Sequence, residues 1–232
     1  MIKVIVVGAK GKMGAEAVTA VSNDNALELV GQVDVGDDLG EILVEKAPDV
    51  AIDFTHPSCV KENVTTLVNA GVHAVVGTTG LSEEEMNTLD KLAKSKNCGV
   101  AICPNFAIGA VLMMKYSAEI AKYMPKVEIL ECHHDKKADS PSGTAIKTAE
   151  LIAESNNKIN TPKLTETELI PGSRGANKHN IPIHAVRIPG IVANQEVIFG
   201  TQGQSLTLRH DTISREAFMP GLLLAVKATS AH

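Results

Sequence analysis

From Ile2 to about Asn105 the chain repeats one pattern, and that pattern leaves few folds open. Apolar, largely β-branched runs ("IKVIVV", "LELVGQVD", "DVAIDFT", "HAVVGTTG", "GVAICPN") alternate with segments of helical spacing such as "KMGAEAVTAVSN" and "SEEEMNTLDKLAKSKN". Strands that read as near-continuous apolar runs are covered on both faces, the habit of parallel sheets. Alternation of strand and helix builds βαβ units, so this part is expected to be an α/β, Rossmann-like domain. Beyond Asn105 the alternation stops. A long helical segment, "FAIGAVLMMKYSAEIAKYM", leads into the strand "KVEILECHH" and a second helix, "TAIKTAELIAES". A polar stretch to Asn180 follows, including Lys163 and Leu164, and then three strand-like runs, "IPIHAVRI", "NQEVIFG" and "QSLTLRHD". These describe an α+β domain with a mixed or antiparallel sheet. The last segment, "SREAFMPGLLLAVKATSAH", is helical, with Pro220 expected to bend or delay it.

Composition narrows the function classes. A net charge of −5 argues against nucleic acid, which calls for a basic face. No apolar run has membrane-spanning length, and "MIKVIVVGA" is too short for a signal peptide. Cys59, Cys98, Cys103 and Cys132 stand singly, a spacing that suits neither zinc nor a disulfide framework, so a cytoplasmic protein without a metal site is expected.

"VVGAKGKMG" sets Gly8, Gly11 and Gly14 three residues apart between a strand and a helix. Glycines there permit a tight turn and close approach of a pyrophosphate to the helix N-terminus, although plain glycine turns are also common in α/β proteins. An acid about 20 residues on, at the end of the next strand, is the ribose-binding partner of such a turn. Asp34 occupies that place and repels a 2′-phosphate, which favours NAD over NADP, with Lys10 and Lys12 partly offsetting it. "GTTG" and "CPNF" end two further strands at the sheet edge where ligands bind, or are simple turns.

In "ECHHDKKADSPSGTA" (Glu131–Ala145) the carboxylates of Glu131, Asp135 and Asp139 nearly balance Lys136 and Lys137. His133 and His134, at a strand end, point to opposite faces and are either structural or acid–base residues. Ser142 or Thr144 caps the following helix, and the N–H groups around Gly143 and Thr144 suit a carboxylate. Lys137 is placed to hold a second charged group or to deliver a proton, while Lys136 is left to solvent. Arg174 and Arg187 are further candidates for substrate carboxylates.

With "GAKGKMG", "AIDFTHP", "VVGTTG", "PNFAIG", "GSRG", "IHAVRIPG" and "EVIFG…LTLRHDTISREAF", these motifs run in order through nearly the whole chain. The chain thereby resembles the dihydrodipicolinate reductase family of lysine and diaminopimelate biosynthesis. The resemblance implies hydride transfer from NAD(P)H to the cyclic imine dicarboxylate 4-hydroxy-tetrahydrodipicolinate. It implies His133 as the acid/base residue, Lys137 as a second proton donor, and substrate contacts at His134, Ser142, Gly143 and Thr144. Cofactor contacts fall on Gly8, Ala9, Lys10, Gly11, Lys12 and Met13, on Asp34, on Gly77, Thr78 and Thr79, and on Cys103, Pro104, Asn105 and Phe106. It further implies that residues 1–106 with 213–232 form the dinucleotide-binding domain and 107–212 the substrate-binding domain, whose sheet assembles a homotetramer. Two positions depart from the pattern: His56 stands where Arg often follows "DFT", and Gln195 where His often precedes "EVIFG". A semialdehyde or homoserine dehydrogenase, which for the semialdehyde case needs a reactive cysteine, and a non-catalytic NAD sensor are the rival readings.

Overall fold

The computed structural model describes residues 1–162 and 165–231, so Lys163, Leu164 and His232 lie outside the described residues. The chain divides into two compact units, Met1–Phe106 with Phe218–His232, and Ala107–Ala217.

In the first unit, strands β1 (Ile2–Val7), β2 (Leu27–Val33), β3 (Val50–Asp53), β4 (His73–Val76) and β5 (Val100–Ile102) are joined by helices α1 (Lys12–Ser22), α2 (Leu39–Lys46), α3 (Val60–Asn69) and α4 (Glu83–Lys96). The sheet is wholly parallel, in the order β2-β1-β3-β4-β5. Its direction of winding reverses between β1 and β3, the position where open α/β sheets bind ligands. Val4, Val6, Ile52 and Val75 pack one face of the sheet, while Ile5, Ala51, Ala74 and Val76 pack the other, which is why these strands carry no polar alternation. Ser82 and Glu85 close a capping box at the start of α4.

The second unit contains α5 (Ile108–Ile120), β6 (Lys126–His133), α6 (Gly143–Ser155), β7 (Ala176–Lys178), β8 (Ile181–Arg187), β9 (Ala193–Thr201) and β10 (Gln204–Thr212). Its sheet runs β10-β9-β6-β8-β7 and is mixed, because β6 and β8 are parallel while the other pairs are antiparallel. Strand β7, missed in the sequence, is three residues of the polar run and has no apolar signature. Alternate residues Val127 and Ile129 of β6, Ile181 and Ile183 of β8, and Val197 and Phe199 of β9 are buried in one core with residues of α5 and α6. The opposite face presents Leu130, Val186 and Ile198, the last 39% exposed.

The chain then passes through a 3-10 turn, Arg215–Phe218, into α7 (Met219–Thr229), which packs on β4 in the first unit. Pro220 delays the helix as expected, since it is tolerated only within the first turn. Gly221 fits because α7 runs against the backbone of Phe106: a Cβ there would lie 2.0 Å from the Phe106 carbonyl oxygen.

Candidate active site

At the winding reversal of the first unit, Gly8 adopts φ +82°, and a Cβ on it would lie 2.3 Å from the Phe54 carbonyl oxygen. A Cβ on Gly14 would sit 2.0 Å from the Gly8 carbonyl oxygen. Both glycines are therefore required by the turn's own folding. Gly11 opens α1 with no side-chain cap among the described residues and no acid in the first turn, while Lys10, Gly11 and Lys12 are exposed. The turn thus offers uncapped N–H groups at a helix start, which fits a pyrophosphate. Ala9 and Met13 lie beneath it in the core. Asp34 accepts the Lys10 N–H at 2.6 Å and the Val35 N–H at 2.8 Å, and these bonds, Lys10 first, hold its carboxyl below the ordinary range.

A second knot lies at the ends of β3 and β4. The fully buried Asp53 carboxylate accepts from Thr78 Oγ1 (2.6 Å), Thr55 Oγ1 (2.8 Å), the Thr55 N–H (3.1 Å) and Asn63 Nδ2 (3.0 Å). It ties the "DFT" loop to Gly77–Thr79, leaving Thr79 exposed and Thr78 buried. Gly77 leaves room for Phe54 and Phe106, whose rings meet edge to face with centroids 5.8 Å apart. Phe106 is thus a core residue in its side chain, while Cys103, Pro104 and Asn105 before it are half-buried or exposed. His56 Nδ1 lies 2.9 Å from Ser58 Oγ and accepts the Ser58 N–H, which closes the loop before α3.

The second unit gathers its chemistry at the end of β6. His133 and Glu131 are two residues apart on one strand and so share a face. Glu131 is fully buried, and its carboxylate meets His133 Nδ1 at 2.6 Å, Arg187 Nη1 and Nη2 at 2.7 and 2.8 Å, and the Ser142 N–H at 3.0 Å. Burial raises its pKa, but the bonds from His133, Arg187 and Ser142 outweigh that and hold it at about 2. Ser142 caps α6, its hydroxyl accepting the Ala145 N–H. Expected to touch substrate, Ser142 is instead only 3% exposed, with hydroxyl and N–H both used inside the fold. Gly143 next to it is exposed, and a Cβ there would meet nothing within 4 Å among the described residues, so no packing requirement among them explains a glycine. Thr144, next in the chain, is half-buried, as is His134 just after β6.

Lys137 Nζ is chelated by both Asp139 oxygens at 2.7 and 2.8 Å and is 21% exposed, while Lys136 is left to solvent. Arg187, offered as a carboxylate ligand, is occupied by Glu131 and by the Asp139 carbonyl. Arg174 is likewise paired with Glu128 and Glu166. The residue that sequence reasoning passed over is Glu131, counted there only as a charge offsetting a lysine. Its signal was its register: it continues the buried series Val127, Ile129. Burial pushes the Cys103 and Cys132 thiols up, Cys132 further so by the Glu131 and Glu196 charges, so neither is an activated nucleophile. Among the described residues no group of three or more His, Cys, Asp or Glu is arranged to hold a metal, and no helix is long and apolar enough to cross a membrane.

Because the folded-state pKa of Glu131 is depressed from 4.5 to about 2, its stabilisation is present above pH 4.5 and is lost as pH falls toward 2. The amount is on the order of 3 kcal/mol. The unfolding free energy of the wild type from urea titrations should fall across that window, and that of Glu131→Gln should fall less by about this amount. Equal slopes would contradict the assignment.

Residues 2–106 match the family pattern described as "Dihydrodipicolinate reductase, N-terminus", and residues 109–232 match "Dihydrodipicolinate reductase, C-terminus". A 4-hydroxy-tetrahydrodipicolinate reductase of Syntrophomonas wolfei subsp. wolfei is 48% identical over 246 residues, covering 97% of this chain and 92% of the relative. One of Mycolicibacterium smegmatis is 50% identical over 230 residues, covering 98% and 93%. Among solved structures, a dipicolinate-bound dihydrodipicolinate reductase from Paenisporosarcina sp. TG-14 superposes with a TM-score of 0.88 at 40% identity, covering 100% of this chain and 95% of that one. Two sheets of the expected kinds, motifs in family order and similarity along nearly the whole chain lead to one statement: this chain belongs to the dihydrodipicolinate reductase family.

Proposed function

We propose that His133 is the proton donor and Lys137 a second charged contact in the reduction this family carries out. As a member, the chain is an NAD(P)H-dependent oxidoreductase that reduces 4-hydroxy-tetrahydrodipicolinate to tetrahydrodipicolinate in lysine and diaminopimelate biosynthesis. The observation that carries the residue assignment is the His133 imidazole anchored through Nδ1 on a buried carboxylate. With Nδ1 committed, Nε2 is the ring atom left to exchange a proton with substrate.

The first unit holds the nucleotide in this reading, and residues 107–212 hold the substrate. The uncapped turn from Gly8 to Met13 takes the pyrophosphate, Asp34 the ribose, and Gly77–Thr79 with Cys103–Phe106 the nicotinamide side. The Phe106 ring serves the core, so its contact is through backbone. The bound nicotinamide supplies the hydride. The chain's own residues do the rest. Gly143 and Thr144 hold one substrate carboxylate at the start of α6, with His134 beside them, while Ser142 fixes the turn from below. Lys137 meets a second anionic group, and Asp139 keeps its ammonium in place until then. The dipicolinate named with the structure from Paenisporosarcina sp. TG-14 is a dicarboxylate of the kind this cradle fits.

NADH is the preferred cofactor and NADPH is accepted. The Asp34 carboxylate, held ionised by the Lys10 N–H, repels a 2′-phosphate, and exposed Lys10 and Lys12 moderate the effect. A cytoplasmic location follows from the pathway. His133→Ala should lower kcat by about 100-fold or more with substrate KM little changed, whereas Lys137→Ala should lower kcat and raise substrate KM. Near-wild-type rates in either variant would refute its role. For the wild type, kcat/KM should be higher with NADH, and comparable values or an NADPH preference would overturn the cofactor assignment.

The Leu130, Val186 and Ile198 face of the second sheet is the surface through which we expect four copies to associate. Sedimentation equilibrium should give a tetrameric mass that Ile198→Lys lowers, and a wild-type monomer would contradict this.

A further inference from the structure

Within the second unit, the two parts of the proposed substrate site, the His133 ring and the start of α6, both end on Glu131. One carboxylate oxygen, Oε2, meets His133 Nδ1 and Arg187 Nη1, while the other, Oε1, accepts the Ser142 N–H and Arg187 Nη2. The ring and the helix start are therefore held from the two oxygens of one planar group, with the side chain itself fully buried. A planar carboxylate fixes the directions of its donors as well as their distances. We propose that Glu131 is the positioning residue of this site: it sets the His133 ring and the Ser142–Thr144 turn in a fixed relation, so that Nδ1 is held and Nε2 is the ring atom left to donate to substrate. The proposal rests on the reading of His133 as proton donor.

The groups around the pair leave Glu131 as the charge that holds the ring. From β8 comes Arg187, which is itself spent on Glu131 and the Asp139 carbonyl. From the loop come Lys137 and Asp139, which neutralise each other. Opposite Glu131 on β9 stands Gln195, uncharged, whose Nε2 donates to Thr148 Oγ1 of α6 at 2.9 Å. Cys132 points to the other face, with Glu196 and Arg209, which pair with each other. The carboxylate at 2.6 Å from Nδ1 thus dominates the ring's surroundings. A histidine at position 195 would have placed a second titrating group across the strand from Glu131, whereas Gln195 keeps the pair alone.

The test is the tautomer of the His133 ring, read by nitrogen-15 NMR on the full-length protein, together with the split between kcat and KM. Glu131→Gln keeps the size but removes the charge and sets an amide NH2 against the Arg187 donors. In the wild type the neutral ring should carry its proton on Nδ1, against Glu131, and in the Gln variant that preference should weaken. Its kcat should fall by ~10- to 100-fold, substrate KM should rise several-fold as Ser142 loses its anchor, and NADH affinity should stay as in the wild type. Glu131→Asp keeps the charge at shorter reach and should retain the Nδ1 proton in part. It supplies the measurement if the Gln variant does not fold. A merely structural role lowers stability and leaves the tautomer in place, so an unchanged tautomer in a folded variant overturns the proposal. Because the tautomer does not depend on turnover, an active His133→Ala enzyme would refute the proton-donor reading while the tautomer still decides the positioning.

Discussion

A carboxylate with no solvent contact is costly unless every lone pair finds a donor, and Glu131 finds four. That requirement organises the second unit's working end. It holds β8 to β6 through Arg187, fixes where α6 begins through Ser142, and anchors the His133 ring through Nδ1. Removing any one donor would leave buried charge behind, so the arrangement is kept together by the penalty for breaking it as much as by its attractions. The stretch from Glu131 to Ala145, nearly neutral on paper, is in space a set of short-range pairs with separate duties.

The first unit uses the same device. Asp53, buried at the end of β3, collects Thr55, Thr78 and Asn63 and thereby fixes the two loops beside the winding reversal. Gly8 then brings the first turn against the Phe54 backbone, and Gly14 brings α1 against Gly8, more closely than any side chain would allow. In both units a buried acid at a strand end fixes irregular backbone beside the positions proposed to meet a ligand, which is what preorganisation asks of a site.

Much of this was legible beforehand for plain reasons. Unbroken runs such as "IKVIVV" announce strands covered on both faces, and the Gly8–Gly14 spacing marks the turn after the first of them. Ser142 is resolved as the cap from two alternatives because only its side chain meets the Ala145 N–H. What stayed hidden depended on partners distant in sequence. Arg187 lies 56 residues from Glu131 in the chain, and only the pairing of β6 with β8 brings them together. Read alone, Arg187 looked free to bind a substrate carboxylate, and Glu131 looked like a solvated charge. Strand β7 was invisible because "ANK" owes its pairing to β8 and not to its own residues. Local periodicity carries the fold, and the buried polar knots that make the site emerge only from register.

The most direct measurement of the central claim is NADH oxidation by the wild-type protein with 4-hydroxy-tetrahydrodipicolinate generated in the cuvette by dihydrodipicolinate synthase. The account predicts turnover with this substrate and none with an amino-acid semialdehyde, since burial pushes the Cys103 and Cys132 thiols away from the reactive thiolate that semialdehyde chemistry needs. Turnover with the semialdehyde alone, or tight NADH binding with no turnover on either compound, would contradict it.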